Sequence, residues 1–250
     1  YTAEKTFTYL SKKYNLISLS DYIESKKKIP KKALIITFDD GHIGNYDILP
    51  VIKKNKVPIT IFLCSGIINT KRHYWFNHIG PYSDFELKQE SNKNRLLKLS
   101  NIGFDQEKEY DSPQALTKKQ IEEMKKHVDF QSHTIFHPCL NKCTDQEAKS
   151  EIFHSKETLE NEYNLSINAI AYPNGDYSER DISIIKEANY KCAITVDYGF
   201  NTLNSDLFRL KRLSVNDSDN LDEVIVKSSG LWAGLRKILR LKQTYGYQNN

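Results

Sequence analysis

Two pairs of side chains that could bind a metal ion and activate water each follow a short apolar run. Asp39 and Asp40 come after the first run, and His133 and His137 come after the second. Two imidazoles four residues apart can bind one metal ion if the backbone turns between them. One carboxylate would complete a two-His, one-carboxylate site with open positions for water. A second carboxylate beside that water is what metal-assisted hydrolysis requires.

Each pair also has a purely structural explanation. An Asp-Asp-Gly sequence can form an Asx turn or cap a helix, with Gly41 supplying backbone freedom. Because adjacent residues on a strand point to opposite faces, we expect Asp39 and Asp40 to contact different partners. Pro138 prevents a long helix from running through the histidine pair, so we expect a single turn on a loop.

The elements that must position these residues alternate between apolar runs and longer amphipathic segments. The pattern predicts strands at residues 33–38, 59–64, 128–132, 169–172, 192–196 and about 212–215, with a further apolar run at 16–19. It predicts helices at 2–14, 46–56, 116–127, about 145–163 after a capping box at Thr144, and 178–188. Such alternation favours a parallel α/β sheet or barrel, in which the carboxyl ends of the strands form one rim. We therefore expect the chemistry to meet at that rim.

The segment 65–113 interrupts the alternation. It is long and polar, with one helix predicted at about 85–99, and an excursion of this length in a compact domain is usually functional. We expect it to form part of a substrate-facing rim. Because we find neither a Gly/Ser-rich linker nor an internal repeat, we expect residues 1–250 to form a single domain.

Composition excludes several classes of protein. The 36 Lys and Arg against 32 Asp and Glu leave a net charge of +4, which is too small to require nucleic acid as a partner. The 39% hydrophobic content is that of a globular chain rather than a fibrous or disordered one. No apolar run is long enough to span a membrane. Since the sequence starts at Tyr1 rather than Met, we interpret the N-terminus as trimmed, which leaves cell envelope, periplasm and cytoplasm open.

Three motifs taken together resemble those of the polysaccharide deacetylases, the NodB-homology proteins of carbohydrate esterase family 4. They are Thr-Phe-Asp-Asp-Gly at 37–41, Ser-His-Thr-Ile-Phe-His-Pro at 132–138 and Ala-Tyr-Pro-Asn-Gly at 171–175. The resemblance covers residues 2–230 and implies an irregular (β/α)7-type barrel, in agreement with the strand count. The Ala-Tyr-Pro variant of the third motif occurs in branches associated with exopolysaccharide and surface-glycan synthesis.

The resemblance also implies roles for the charged residues. Asp40, His133 and His137 would hold one divalent metal ion, with Zn²⁺ as the default and Co²⁺, Mn²⁺, Ni²⁺ or Fe²⁺ as alternatives. Asp39 would be the base that deprotonates the attacking water. The reaction would release acetate and a free amine from an N-acetylated saccharide, and the protein would act as a monomer.

The third motif implies the substrate contacts. Tyr172, Pro173 and Asn174 would line the groove, and a backbone N–H near Tyr172 would bind the oxyanion. This motif commonly opens with an Arg that braces the catalytic Asp, but Ala171 stands there. We therefore expect Arg212 to pair with Asp39 instead.

A second departure concerns the general acid. The family's late motif usually supplies a His, but residues 213–217 read Leu-Ser-Val-Asn-Asp and no His follows His154. The leaving amine would then be protonated by water, by Asp39, or by a residue of the 65–113 segment. His73 and His78 lie there, although each is better interpreted as a surface or packing residue. A family strand with a Tyr-His pair is also missing ahead of residue 2, so we expect a trimmed chain or a barrel opened at that edge.

Three other features each have more than one explanation. Cys139 and Cys143 could form a disulfide or part of a zinc site. The basic run at 26–32 is typical of a solvated loop, with contact to an anionic glycan or lipid as the alternative. The basic amphipathic stretch at 230–242 is typical of a helix packed on the barrel, with peripheral contact to a membrane or a lipid-linked glycan as the alternative.

Three functions therefore remain open. The first is metal-dependent N-deacetylation of a saccharide of the bacterial envelope. The second is a catalytically weak or silent glycan-binding protein that keeps the metal but lacks the general-acid His. The third is an unrelated metallohydrolase such as a phosphoesterase, which an additional His or carboxylate completing a two-metal site would favour.

Overall fold

The computed structural model describes residues 2–24, 29–215 and 220–231. The strands are β1 (Asn15–Leu16), β2 (Ala33–Leu34), β3 (Ile36–Phe38), β4 (Ile59–Leu63), β5 (Val128–Ser132), β6 (Ala169–Ala171), β7 (Cys192–Tyr198) and β8 (Leu210–Arg212). The α-helices are α1 (Thr2–Lys13), α2 (Leu19–Glu24), α3 (Leu49–Asn55), α4 (Asp84–Gln89), α5 (Asn92–Ser100), α6 (Lys118–Met124), α7 (Asp145–Tyr163), α8 (Glu179–Glu187) and α9 (Leu221–Ser228). The strands and helices alternate as the sequence predicts.

Six strands form one parallel sheet in the order β3-β4-β5-β6-β7-β8, and β1 pairs with β2 separately. Strand order follows chain order, which is the arrangement of a βα barrel. Arg212 at the end of β8 contacts Thr37 of β3 and Asp39 just after it. The two outer strands therefore approach each other, and the sheet is curled. The predicted α/β fold is confirmed, as an open six-stranded half-barrel in the described residues.

Both faces of the sheet are buried, as parallel sheets require. On β4, Ile59, Ile61 and Leu63 pack in the layer shared with the surrounding helices. Phe62 points the other way and packs inside the half-barrel with apolar residues of β6, β7, β8 and α2. This alternation fixes the register of the strand, since a slip of one residue would exchange the two sets.

Several predicted elements differ from the structure. The strand expected at 33–38 is divided into β2 and β3, which belong to separate sheets. The helix expected at 85–99 is two helices, because Glu90 is extended and Ser91 starts α5 by accepting a hydrogen bond from Asn94 N–H. The last strand ends at Arg212 rather than beginning there. Leu210 is buried and pairs with Ile194, whereas Val215 is 43% exposed and lies beyond the end of β8.

Two surface predictions lie wholly or partly outside the described residues. Residues 26–28 of the basic run and residues 232–242 of the amphipathic stretch lie outside the described residues. Within the described ranges, none of the helices combines the length and the apolar character needed to cross a bilayer.

Candidate active site

Asp39 and Asp40 follow β3, where the chain makes a sharp left-handed turn. Asp40 has φ 71° and Gly41 has φ 73°. Glycine is favoured there by its φ, and a Cβ on Gly41 would also displace Leu63 Cδ2, which lies 2.6 Å from its position. The turn directs the two carboxylates to different partners, Asp39 to Arg212 and Asp40 to the histidines. The expected difference in partners is confirmed, although a turn rather than strand alternation produces it.

Asp40, His133 and His137 converge on one point. Asp40 Oδ1 lies 3.4 Å from His133 Nε2 and 3.3 Å from His137 Nε2. The candidate ligand atoms of the three residues all lie within 4.8 Å of one another. In the described parts of the chain this is the one group of three or more His, Cys, Asp or Glu side chains with such an arrangement. The three predicted ligands are thus brought together.

The hydrogen bonds of His133 make this group suitable for a cation. Its Nδ1 lies 2.8 Å from the carbonyl oxygen of Ala171, and since a carbonyl only accepts, Nδ1 must donate. The neutral ring then directs the Nε2 lone pair toward Asp40 Oδ1, and both atoms are buried without a hydrogen-bond partner. Two facing acceptors are stabilised by a cation between them, and a carbonyl-anchored imidazole is typical of a metal ligand. The residues present therefore fit a divalent metal ion.

The pKa of each of the three candidate ligands is shifted by burial and by the charges of its neighbours. Burial would raise the pKa of Asp40, but the adjacent imidazoles outweigh it and lower that pKa. Burial would likewise lower the pKa of His133, but Asp40 and Asp39 outweigh it and raise that pKa. For His137 burial prevails and lowers the pKa to about 4. The lowered pKa of Asp40 favours its ionised carboxylate, which is the form that binds a cation.

The loop that carries both histidines is not helical. Thr134 has φ 69° and His137 has φ 58°, so the expected turn on a loop is a left-handed bend rather than a helical turn. Its shape is held by Glu151 of α7, whose Oε2 accepts hydrogen bonds from Ile135 N–H at 2.7 Å and Phe136 N–H at 3.0 Å. A carboxylate that binds two loop amides does the positioning that helical hydrogen bonds would otherwise do.

Asp39 is braced by Arg212, as the sequence predicts. Arg212 Nη1 and Nη2 lie 2.8 Å from Asp39 Oδ1 and Oδ2 respectively, and Nε donates to the carbonyl oxygen of Thr195 at 2.7 Å. Burial would raise the pKa of Asp39, but the Arg212 guanidinium and the two imidazoles outweigh it and hold the pKa at about 2. The Asp39 side chain is 28% exposed, so an ionised carboxylate remains within reach of solvent.

Two residues of the third motif, Tyr172 and Pro173, are buried in the fold. The Tyr172 ring is fully buried against Tyr177, its hydroxyl donates to Phe208 O, and its N–H donates to Ile194 O. Pro173 is also buried and has no N–H. Both side chains are therefore covered by protein, and the Tyr172 N–H is already used within the fold. The expected groove contacts of Tyr172 and Pro173, and an oxyanion contact from a backbone N–H near Tyr172, stay predictions. Asn174 is half-buried, with φ 58° and Nδ2 3.4 Å from Cys139 Sγ, and its substrate contact stays a prediction.

The other candidate side chains lie apart from the three ligands. His73 Nδ1 is 2.8 Å from His78 Nε2, and His73 stacks on Tyr110, so this pair belongs to the packing of the 65–113 segment. Cys139 and Cys143 are free thiols rather than a disulfide. Neither cysteine belongs to the metal-binding group.

Two residues beside the site are absent from the sequence-based prediction. Tyr74 donates its hydroxyl to the carbonyl oxygen of Asp40, and Trp75 donates its indole N–H to that of His137. A run of three aromatic residues at 74–76 inside a polar segment is the signal that could have identified them.

Comparison with known proteins agrees with this arrangement. The family model described as polysaccharide deacetylase matches residues 26–193. Poly-β-1,6-N-acetyl-D-glucosamine N-deacetylases of Staphylococcus epidermidis and Staphylococcus aureus are 26% and 25% identical over 87% and 84% of this chain. The chain spans 54% to 65% of the length of the curated relatives that it matches.

Solved structures share the fold. The Streptococcus pyogenes deacetylase PplD in complex with acetate superposes with a TM-score of 0.67 at 22% identity, covering 91% of this chain and 85% of that one. IcaB from Ammonifex degensii superposes with a TM-score of 0.63 at 17% identity, covering 90% and 87%. With the family model covering more than half of the sequence and all three motifs meeting at one rim, this chain belongs to the polysaccharide deacetylase family.

Proposed function

We propose that this protein removes N-acetyl groups from an N-acetylated amino sugar of a bacterial polysaccharide or lipid-linked glycan, in a metal-dependent hydrolysis. The observation that carries the proposal is the juxtaposition of two features. Asp40, His133 and His137 face one another with buried acceptor atoms that have no hydrogen-bond partner, and the ionised Asp39 lies beside them. This combination supports an activated water and a base at one place.

In the proposed reaction, Asp39 and Arg212 have different roles. A divalent cation, with Zn²⁺ as the first choice, would lower the pKa of a water molecule and polarise the acetamido carbonyl. Asp39 would accept the proton of the attacking water, while Arg212 keeps its carboxylate ionised and oriented. Water oxygen bonds to the carbonyl carbon and the C–N bond breaks, which yields acetate. Asp39 would return the proton to the departing nitrogen, since no His follows His154 to act as a separate acid.

The relatives suggest which glycan to test first. Those from the two staphylococci are named for poly-β-1,6-N-acetyl-D-glucosamine. We therefore take β-1,6-linked N-acetylglucosamine oligomers as the leading substrate class. The two-metal alternative lacks support, because the described residues offer one metal-binding group.

A second candidate function is glycan binding with weak turnover or none. It is favoured by the strength of the Asp39–Arg212 pair, because a carboxylate with a pKa of about 2 is a poor proton acceptor at neutral pH. The missing late His points the same way.

Acetate release measured with and without added divalent metal ion distinguishes these functions. The substrates are β-1,6-linked N-acetylglucosamine oligomers, chitooligosaccharides and peptidoglycan fragments. We expect metal-dependent release that Asp39→Asn reduces by a factor of about 10² or more, while the exposed Asp47→Asn leaves it unchanged. Saturable glycan binding with no acetate release from the metal-loaded protein would contradict deacetylation and establish the second candidate.

A further inference from the structure

Tyr74 and Trp75 of the 65–113 segment contact the backbone of two candidate metal ligands. The Tyr74 hydroxyl donates to Asp40 O at 2.9 Å, and the Trp75 indole N–H donates to His137 O at 2.8 Å. Both aromatic side chains are buried, at 1% and 3% exposure. Adjacent residues of one segment thus bind two ligands that come from different strand ends.

These two ligands have the backbone conformations that most need support. Asp40 has φ 71° and His137 has φ 58°, in the left-handed region that L-residues with a side chain adopt at a cost. A hydrogen bond to a peptide carbonyl restricts rotation about the adjacent Cα–C bond, and this in turn restricts the direction of the Cα–Cβ bond. A donor that holds the carbonyl therefore also holds the aim of the carboxylate or imidazole.

The aromatic segment is itself firmly anchored. Tyr74 N–H donates to Gln114 Oε1 at 2.9 Å. The buried guanidinium of Arg95 lies over the Trp75 ring, 4.9 Å from its centroid. Phe76, the next residue, meets the His137 ring edge to face at 5.0 Å. The donors consequently have little freedom to follow a ligand that moves.

We infer that Tyr74 and Trp75 are positioning residues of the metal centre, which aim Asp40 and His137 through their backbone carbonyls. The inference rests on the proposed metal site, and it gives the 65–113 segment a positioning role in addition to its expected place at the rim. His133 is outside this contact, because its ring is anchored by Ala171 O instead. Each of the three ligands would then be held by its own hydrogen bond from or to the backbone.

The test compares metal binding by four proteins: wild type, Tyr74→Phe, Trp75→Phe and a control. Each test variant keeps an aromatic ring and removes one donor. Tyr14→Phe is the control, because the Tyr14 hydroxyl also donates to a backbone carbonyl, that of Ser228 at 3.0 Å, away from the ligands. The measurements are Zn²⁺ affinity by competition with a chelating dye and the visible absorption spectrum of the Co²⁺-loaded protein.

We expect Tyr74→Phe and Trp75→Phe each to weaken Zn²⁺ binding by about tenfold or more, the loss typical of outer-shell partners, and to alter the Co²⁺ bands. Tyr14→Phe should change neither. Wild-type affinity and spectrum in both test variants, with circular dichroism showing them folded, would overturn the inference. Should one variant unfold, the other decides, since each donor serves a different ligand. Failure of the wild type itself to bind Zn²⁺ would instead contradict the proposed function, and with it the inference.

Discussion

The guanidinium of Arg212 covers both carboxylate oxygens of Asp39, with two nitrogen–oxygen distances of 2.8 Å, across 173 residues of sequence. This pair links the last strand of the half-barrel to the turn after the first strand of the sheet. It keeps Asp39 ionised and also fixes which way its oxygens point. The bidentate geometry is one that an arginine can form and a lysine cannot.

Arg212→Lys should therefore raise the pKa of Asp39 from about 2 toward the ordinary value, since one of the two charge-assisted hydrogen bonds is lost. A base acts in its ionised form, so a raised pKa moves the loss of activity on acidification to higher pH. Carboxyl ¹³C NMR titration of the metal-free protein checks the pKa, and the pH dependence of kcat/KM checks its effect. Arg209→Lys is the matched control, because Arg209 pairs with Asp206 and Glu179 at the surface. A pKa that stays near 2 in Arg212→Lys would contradict the assigned role.

Metal binding should stabilise the folded chain. At a metal concentration of 100 times Kd the gain is about 2.7 kcal/mol, which corresponds to roughly 5–10 °C in Tm for a chain of this length. We expect this shift in wild type and in His154→Ala, whose altered residue is exposed on α7. His133→Ala should show no shift, because it removes one of the three ligands. Thermal unfolding with Zn²⁺ and with EDTA measures both; an equal shift in His133→Ala would contradict the ligand assignment.

Glu151 should make stability fall with rising pH. Burial raises its pKa to about 7 in the folded protein, against 4.5 as the ordinary value. Between these values the folded state binds more protons than the unfolded state, so the contribution of Glu151 is fully present below pH 4.5 and is lost by about pH 7. Urea unfolding of the metal-free protein should show wild type losing stability relative to Glu151→Gln across this window. Glu157→Gln, a change at an exposed position on the same helix, should show the same pH dependence of unfolding free energy as wild type. If Glu151→Gln also showed the wild-type pH dependence, the prediction would be wrong.

Gly175→Ala tests the packing of the third motif. A Cβ at this position would collide with Val196 of β7, and the residue also has φ 74°. We expect a loss of roughly 2–4 kcal/mol in the free energy of unfolding, from strain and overpacking together. Gly103→Ala separates the two effects, because Gly103 has φ 92° with no atom within 4 Å of the added Cβ. It should cost about 1 kcal/mol. Equal losses in the two variants would show that the collision is relieved.

The motifs predicted the site better than its surroundings. Asp40, His133 and His137 were predictable because strand ends of a parallel sheet share a rim. The Arg212 contact was predictable because Ala171 left a carboxylate without a cation. The left-handed bend at His137 was not predictable, because the hydrogen bonds that hold it come from Glu151 on α7. Burial of Tyr172 was equally invisible, because a motif gives residue types and not which face of the chain they pack against.

The sequence positions of the site residues set the order in which they are synthesised. Asp40, His133 and His137 belong to the first half or so of the sequence, whereas Arg212 lies on the last strand. A nascent chain thus carries the three candidate metal ligands before it carries Arg212, the side chain that holds Asp39 ionised. Until β8 docks, Asp39 lacks the guanidinium that lowers its pKa in the folded chain. The ion pair that orients Asp39 is therefore completed only when β8 is in place.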